Sequence, residues 1–267
     1  MNDGTIFKKE YVESLPEEVQ DFIRNYFQLD IYGKKVSTPY YRNRKRVRAE
    51  LRSLAGKGTP EEIEEEVKIY AKFNKFNTDT DPANIREFMI KQGIGIDCSG
   101  YIAHILNRWL TLQGSSLYRE IKYWQGNFSR RLIRFLRPIE NIGANLLTSE
   151  LNCERVALNS VEEGDLLRLS GLNGGHHIAM ISSVRRDTSG KVESIIYTHS
   201  SEHYEDKNGV RFGEVKITDH SKSLSEQNWL EVNDKGVSYT QEQMLKNEIE
   251  NRNGIYRTKF HNLLKNE

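Results

Sequence analysis

The most reactive side chain of the sequence lies in a segment typical of a helix start. Cys98 follows Asp97 and precedes Ser99-Gly100, and Ile102 to Trp109 repeats apolar residues at helical spacing. Backbone N–H groups and the positive end of the helix dipole stabilise a thiolate there, so we expect the Cys98 pKa to fall below its free value of about 8.5. The pattern favours a nucleophile over the alternative, a small buried apolar residue.

Two downstream histidines complete a predicted relay. His177 begins one strand-like stretch and His199 ends another. His177 would accept the thiol proton and later protonate the leaving amine, while His199 would orient the His177 ring. His203 is a weaker substitute for His199. Backbone N–H groups at the helix start, including that of Cys98, would form the oxyanion hole, and the preceding aspartate is expected to cap the helix rather than to catalyse.

His176 and His177 compete for the role of base, and strand alternation gives them opposite faces. His177 shares its face with Ala179 and Ile181, where a small residue would let the Cys98 helix approach closely. We therefore expect His176 to face solvent or a loop. The sequence contains no C-x-x-C pair, and its H-x-x-x-H spacing, His199 to His203, follows a predicted strand end rather than lying on a helix, so neither a metal nor another cofactor is predicted.

These residues also carry a resemblance to a known family. Asp-Cys-Ser-Gly at 97–100, Gly-Asp-Leu at 164–166, His-Ile-Ala at 177–179 and His199 occur in the order of motifs typical of the NlpC family. That family comprises papain-like cysteine peptidases that cut the peptide stems of bacterial cell walls. The motifs span residues 94–217, interrupted by a long insertion at about 112–159.

The resemblance implies a set of site residues and an activity. Cys98, His177 and His199 would be catalytic. The family's Pro-Tyr pair has its nearest counterpart in Thr38-Pro39-Tyr40-Tyr41. The expected substrate-binding residues are Tyr40, Asp97, Ser99 and His176.

The implied activity is thiol-dependent hydrolysis of an amide bond through an acyl-enzyme on Cys98, with a peptide or peptidoglycan-like stem as substrate. Papain-like scaffolds also host acyltransferases and deamidases, so these remain alternatives. An alternative from another class is a catalytically silent module that binds an anionic polymer.

Composition excludes several other classes of function. The 267 residues hold 39 Lys and Arg against 38 Asp and Glu, so the net charge of +1 indicates no specific nucleic-acid or membrane partner. Two cysteines form no disulfide framework, and a free thiol favours a reducing compartment. No apolar run is long enough for a membrane span or signal peptide, so cytoplasm is the default, with release to the wall by another route. The oligomeric state is not predicted.

Two basic stretches offer further contacts. Six basic residues lie between Tyr40 and Arg52, and Arg130, Arg131, Arg134 and Arg137 lie in the insertion. Either stretch would contact an anionic polymer or form a solvated helix face; the solvated face is favoured for the first stretch. In the insertion, Trp124, Phe128 and Phe135 would join the arginines in a wall beside the cleft.

The element pattern predicts an α+β fold. Ser14-Leu15-Pro16-Glu17, Thr59-Pro60-Glu61-Glu62 and Asp81-Pro82 each indicate a helix start, and the third helix should end near Gly93. Strands are expected at 165–169, 177–184, 194–198 and 212–217. We expect a helical extension over 1–90 and, over 91–267, a papain-like, NlpC-type domain whose cysteine helix packs on a small antiparallel sheet, with a helical insertion.

Overall fold

The computed structural model describes residues 4–42, 55–124, 139–170, 176–245 and 252–265. The basic residues beyond Arg42 in the first stretch, the arginines at 130–137, and Phe128 and Phe135 lie outside these ranges. The proposed wall beside the cleft is therefore represented only by Trp124, which is exposed.

The fold is built on a seven-stranded antiparallel sheet with strand order β3-β9-β4-β5-β6-β7-β8, and a separate hairpin pairs β1 with β2. The strands are β1 (Leu29–Ile31), β2 (Lys34–Val36), β3 (Cys153–Arg155), β4 (Leu166–Ser170), β5 (His176–Arg186), β6 (Val192–Ser201), β7 (Gly209–Lys216), β8 (Asn228–Trp229) and β9 (Gly254–Thr258). The four predicted strands are confirmed as β4 to β7.

Eight α-helices lie within the described ranges. They are α1 (Glu17–Phe27), α2 (Pro60–Phe73), α3 (Pro82–Gln92), α4 (Cys98–Leu112), α5 (Leu117–Glu120), α6 (Ala144–Leu147), α7 (Tyr239–Leu245) and α8 (His261–Leu264). The α+β class is thus confirmed. In these ranges no helix is both long and apolar enough to cross a bilayer.

Two of the three predicted helix starts are confirmed together with a side-chain cap. Thr59 forms a capping box with Glu62, and the Asp81 side chain accepts a hydrogen bond from the Asn84 N–H. A helix also starts within Ser14-Leu15-Pro16-Glu17, but Ser14 does not cap it: α1 begins at Glu17, with Pro16 at the N-cap and no side-chain cap. The residues ahead of Pro16 form a turn instead, in which the Leu15 N–H donates to the Val12 carbonyl.

The extension is not wholly helical, because β1 and β2 form a hairpin that the helical prediction missed. The two residues between them, Tyr32 and Gly33, both have positive φ, of 54° and 76°. This is the conformation that two-residue hairpin turns require. In addition, β3 lies within the predicted helical insertion and pairs with β9.

The sheet carries a hydrophobic cluster on each face. Ile178 and Met180 belong to the cluster that contains Ile102 and Leu106 of α4, and side chains of α1 join it. Ala179, Ile181 and Tyr197 belong to the other cluster. The expectation that α4 approaches the Ala179 face is therefore wrong. The apolar stripe of α4 packs instead against the larger side chains of Ile178 and Met180.

Tyr197 needs a glycine on the neighbouring strand. Tyr197 of β6 lies directly opposite Gly213 of β7. A Cβ at Gly213 would lie 2.1 Å from the Tyr197 Cζ. The ring is fully buried and its hydroxyl is hydrogen-bonded, so it has no room to withdraw.

We expect Gly213→Ala to lower the free energy of unfolding by about 1–3 kcal/mol, the usual cost of overpacking. Denaturant unfolding measures this. Gly143→Ala is the matched control, because its Cβ would meet no atom within 4 Å. An equal loss in the two variants would show that the Tyr197 packing is not the cause.

Candidate active site

The cysteine is held at the first position of α4 by the segment that precedes it. Helix α3 ends at Gly93, in the left-handed conformation, and the chain continues to Ile96, which pairs with Tyr40 in a parallel bridge. A Cβ at Gly95 would lie 2.3 Å from the Pro39 carbonyl oxygen, so only glycine allows this approach. The pairing fixes where α4 begins and therefore where Cys98 lies.

The start of α4 lies where two sheet strands separate. The pairing of β5 with β6 begins at Met180 and Thr198, so the start of β5 and the end of β6 are open to each other. The Ser200 hydroxyl donates to the Ile96 carbonyl at 2.8 Å. The Cys98 Sγ lies 3.9 Å from the His176 carbonyl oxygen. The sulfur is thus placed against the backbone beside His177.

The two predicted imidazoles are brought together. His177 Nε2 lies 2.7 Å from His199 Nδ1, and His199 Nε2 lies 2.9 Å from Glu231 Oε1. All three side chains are buried. His177 Nε2 is engaged by His199, whereas the hydrogen-bond partner of the Cys98 sulfur is the His176 carbonyl rather than the His177 ring. The three groups form a hydrogen-bonded chain that ends at the start of β5.

Glu231 is enclosed by donors. Its Oε1 accepts from Arg211 Nε as well as pairing with His199, and its Oε2 accepts from the hydroxyls of Tyr197 at 2.6 Å and Thr240 at 2.7 Å. Although burial opposes ionisation, His199 and Arg211 hold the pKa of the Glu231 carboxyl well below its usual range. The residue is therefore a carboxylate across the neutral pH range.

The pKa of Cys98 differs from the sequence expectation. Burial and the Asp97 carboxylate raise it to about 12, against the opposing effects of Lys57 and of the Ile178 and Ser99 N–H groups. Burial, and then the neighbouring His199, lower the pKa of His177 well below its usual value. The expected low cysteine pKa is wrong, because desolvation outweighs the helix start. The resting pair is a neutral thiol beside a neutral imidazole.

Cys153 has no comparable setting. Its Sγ donates to the Leu147 carbonyl at 2.8 Å, and burial raises its pKa to about 12. Since Cys98 and Cys153 have similar pKa values, the pH at which each is alkylated does not separate a nucleophile from a structural thiol. What distinguishes Cys98 is its place at the first position of α4, against the carbonyl of the residue that precedes His177.

A buried ion pair lies under the helix start. Lys57 Nζ donates to Asp97 Oδ1 at 2.9 Å, to Ser99 Oγ at 2.6 Å and to the Ile142 carbonyl at 3.0 Å. Asp97 Oδ1 also caps α4 by accepting from the Gly100 N–H at 2.7 Å, as the sequence predicted. Ser99 and Asp97 therefore have partners that hold the helix start in place.

The remaining predicted residues also lie around the thiol. Tyr40 is half-buried, and its N–H donates to Asn208 Oδ1 at 3.2 Å. Burial of the hydroxyl raises the Tyr40 pKa above its usual value. The His176 side chain is exposed, and its carbonyl faces the Cys98 sulfur. The structure thus places all the predicted site residues in one neighbourhood.

Sequence reasoning missed Glu231, Arg211 and Lys57. One signal was available: Arg211 is a charged residue between the apolar Val210 and Phe212 in the buried strand β7. A buried charge requires a partner, so Arg211 predicted a carboxylate nearby. Nothing local identified that carboxylate, since Glu231 lies 32 residues from His199 along the chain.

Neither metal ligands nor known relatives add to this site. In the described part of the chain, no group of three or more His, Cys, Asp or Glu side chains is arranged to hold a metal ion. Compared with known proteins, the chain matches no family model, no curated protein and no solved structure.

We expect Lys57→Met to lower the free energy of unfolding by about 3–5 kcal/mol, because it leaves the Asp97 carboxylate buried without its cation. Denaturant unfolding measures the loss. The double variant Lys57→Met/Asp97→Asn should recover part of it, since asparagine retains the helix cap without the charge. If the loss in the double variant equals the sum of the losses in Lys57→Met and Asp97→Asn, the two side chains are not coupled.

Proposed function

We propose that the protein is a thiol-dependent hydrolase of the papain-like, NlpC type that cleaves an amide bond through an acyl-enzyme on Cys98. The observation that carries the proposal is the chain from His177 through His199 to Glu231, together with the Cys98 sulfur, which lies 3.9 Å from the carbonyl oxygen of the adjacent residue, His176. Two buried imidazoles linked to a carboxylate form a proton-accepting relay, and in the proposed reaction Cys98 is the thiol that this relay activates.

The first half of the reaction forms a thioester. His177 Nδ1 takes the Cys98 proton as the sulfur attacks the substrate carbonyl carbon, and the new S–C bond places a negative charge on the carbonyl oxygen. N–H groups at the start of α4 stabilise that charge. His177 then donates its proton to the leaving nitrogen, the C–N bond breaks, and an amine departs.

The second half restores the enzyme. A water molecule gives a proton to His177 as its oxygen attacks the thioester, and the S–C bond breaks. The sulfur recovers its proton, and a carboxylic acid product is released. A neutral resting thiol is compatible with this sequence because proton removal accompanies attack rather than preceding it.

The proposed substrate is a peptide stem of peptidoglycan, an expectation that rests on the motif resemblance. The same thioester would serve a deamidase, if the leaving group were ammonia, or an acyltransferase, if an amine replaced water. The three reactions differ only in leaving group and acceptor, so product analysis separates them.

We expect Cys98→Ala to abolish turnover of purified stem peptides, whereas Cys153→Ala, the matched control, retains it. Mass spectrometry of the products identifies the reaction: peptide cleavage for a hydrolase, ammonia loss for a deamidase. Hydroxylamine should trap the thioester as a hydroxamate. Equal product formation by Cys98→Ala and wild type would rule out the cysteine mechanism and favour a silent binding module.

A graded series tests the orienting role of His199. We expect His177→Ala to be nearly inactive, with a loss of up to about 10⁴-fold in kcat, since the general base is removed. His199→Ala should be strongly impaired, and His199→Asn should lie between it and wild type, because asparagine can still accept a hydrogen bond from His177. Full activity in His199→Ala, with loss in His203→Ala or His176→Ala, would assign the relay to another imidazole.

A further inference from the structure

The protonation pattern of the relay follows from its carboxylate end. Glu231 is ionised and can only accept hydrogen bonds, so the nitrogen 2.9 Å from it, His199 Nε2, must carry a proton. In a neutral imidazole the other nitrogen then has none. His199 Nδ1 is therefore an acceptor, and the proton in its 2.7 Å contact belongs to His177 Nε2.

This pattern leaves His177 Nδ1 with a free lone pair, which is the state a base needs. Resting on the proposed function, we propose that Glu231 is a positioning residue, two imidazoles from the thiol, that sets the tautomer of both histidines and stabilises the positive charge the relay acquires when it takes the Cys98 proton. It touches neither the thiol nor the substrate, and it acts through His199.

The charge argument follows from the groups around the carboxylate. At rest, Arg211 balances Glu231, and the pair lies in a buried setting in which Coulomb interactions are strong. When His177 takes a proton, the shared positive charge lies within two hydrogen bonds of the carboxylate. Loss of the Glu231 charge would leave Arg211 and the imidazolium facing each other without an anion, which disfavours proton transfer from the thiol.

All the groups that face this carboxylate are accounted for in the described residues. Arg211 of β7 and His199 of β6 are its charged or titratable partners, the hydroxyls of Tyr197 and Thr240 donate to its other oxygen, and the Tyr204 hydroxyl donates to the Glu231 backbone carbonyl. Among the effects on His177, that of Glu231 raises its pKa, whereas those of His199 and His203 lower it. Glu231 is thus the negative charge that favours protonation of His177.

The first experiment measures the tautomers directly. In the full chain labelled with ¹⁵N-histidine, two-bond ¹H–¹⁵N correlation spectra should show the Nε2–H form for both His177 and His199 near neutral pH. In Glu231→Ala no carboxylate fixes the proton on His199 Nε2, so we expect both histidines to show a mixture of the Nε2–H and Nδ1–H tautomers. An Nδ1–H form of His177 in the wild-type spectrum would overturn the proposal without any variant.

The second experiment removes only the charge. Glu231→Gln keeps an oxygen that can accept from His199, so we expect the tautomers to persist while the His177 pKa falls by about 1–3 units in the NMR titration. Alkylation of Cys98 by iodoacetamide at neutral pH should slow at least about tenfold, the factor that corresponds to one pKa unit.

The matched control is Glu214→Gln. Glu214 is also a buried carboxylate, but it lies on β7 and pairs with Arg185 rather than with the relay. This substitution should change neither the His177 pKa nor the alkylation rate. Unchanged values in Glu231→Gln, or equal changes in both variants, would refute the role of the Glu231 charge. Neither readout needs a substrate, so a failure to find turnover would count against the proposed function alone.

Discussion

The site depends on one buried negative charge, the carboxylate of Glu231. A buried carboxylate is costly unless it is paired and both oxygens have hydrogen bonds, and here a guanidinium, an imidazole and two hydroxyls supply them. Those donors come from β6, β7 and α7, so the charge is satisfied only when these elements have their final positions. The geometry at His199 is therefore fixed by tertiary structure rather than by its own strand.

Two opposing effects on the Cys98 pKa, that of the helix start and that of burial, decide whether the thiol is protonated at rest. A helix start stabilises an adjacent anion by about 0.3–1 kcal/mol, and by up to about 2 kcal/mol in a partly buried setting. Full burial shifts a pKa by up to about 3–5 units, at about 1.4 kcal/mol per unit. Burial therefore prevails at Cys98, which is 7% exposed. In the proposed mechanism, deprotonation of Cys98 therefore depends on the His177 base more than on the helix start.

Sequence reasoning succeeded where a signal is local. Thr59 and Asp81 cap their helices, the apolar stripe of α4 is buried, and strand alternation located β4 to β7. The failures involve distant partners. The choice of sheet face for α4 depended on Ile178 and Met180 as a packing surface, and the carboxylate end of the relay depended on a residue beyond β8. Neither leaves a periodic signal in the sequence near the histidines.

The region before residue 90 contributes to the surroundings of the thiol. Ile96, two residues before Cys98, is hydrogen-bonded to Pro39 and bridged to both Tyr40 and Lys57. A side chain at Gly56 would meet the Tyr41 carbonyl at 2.3 Å, so the two early segments also fit closely against each other. The start of α4 is therefore braced by chain that precedes it on one side and by the opened sheet on the other. In the proposed reaction, a cysteine held from both sides would lose little freedom on attacking the substrate, and such preorganisation lowers the barrier to acyl transfer.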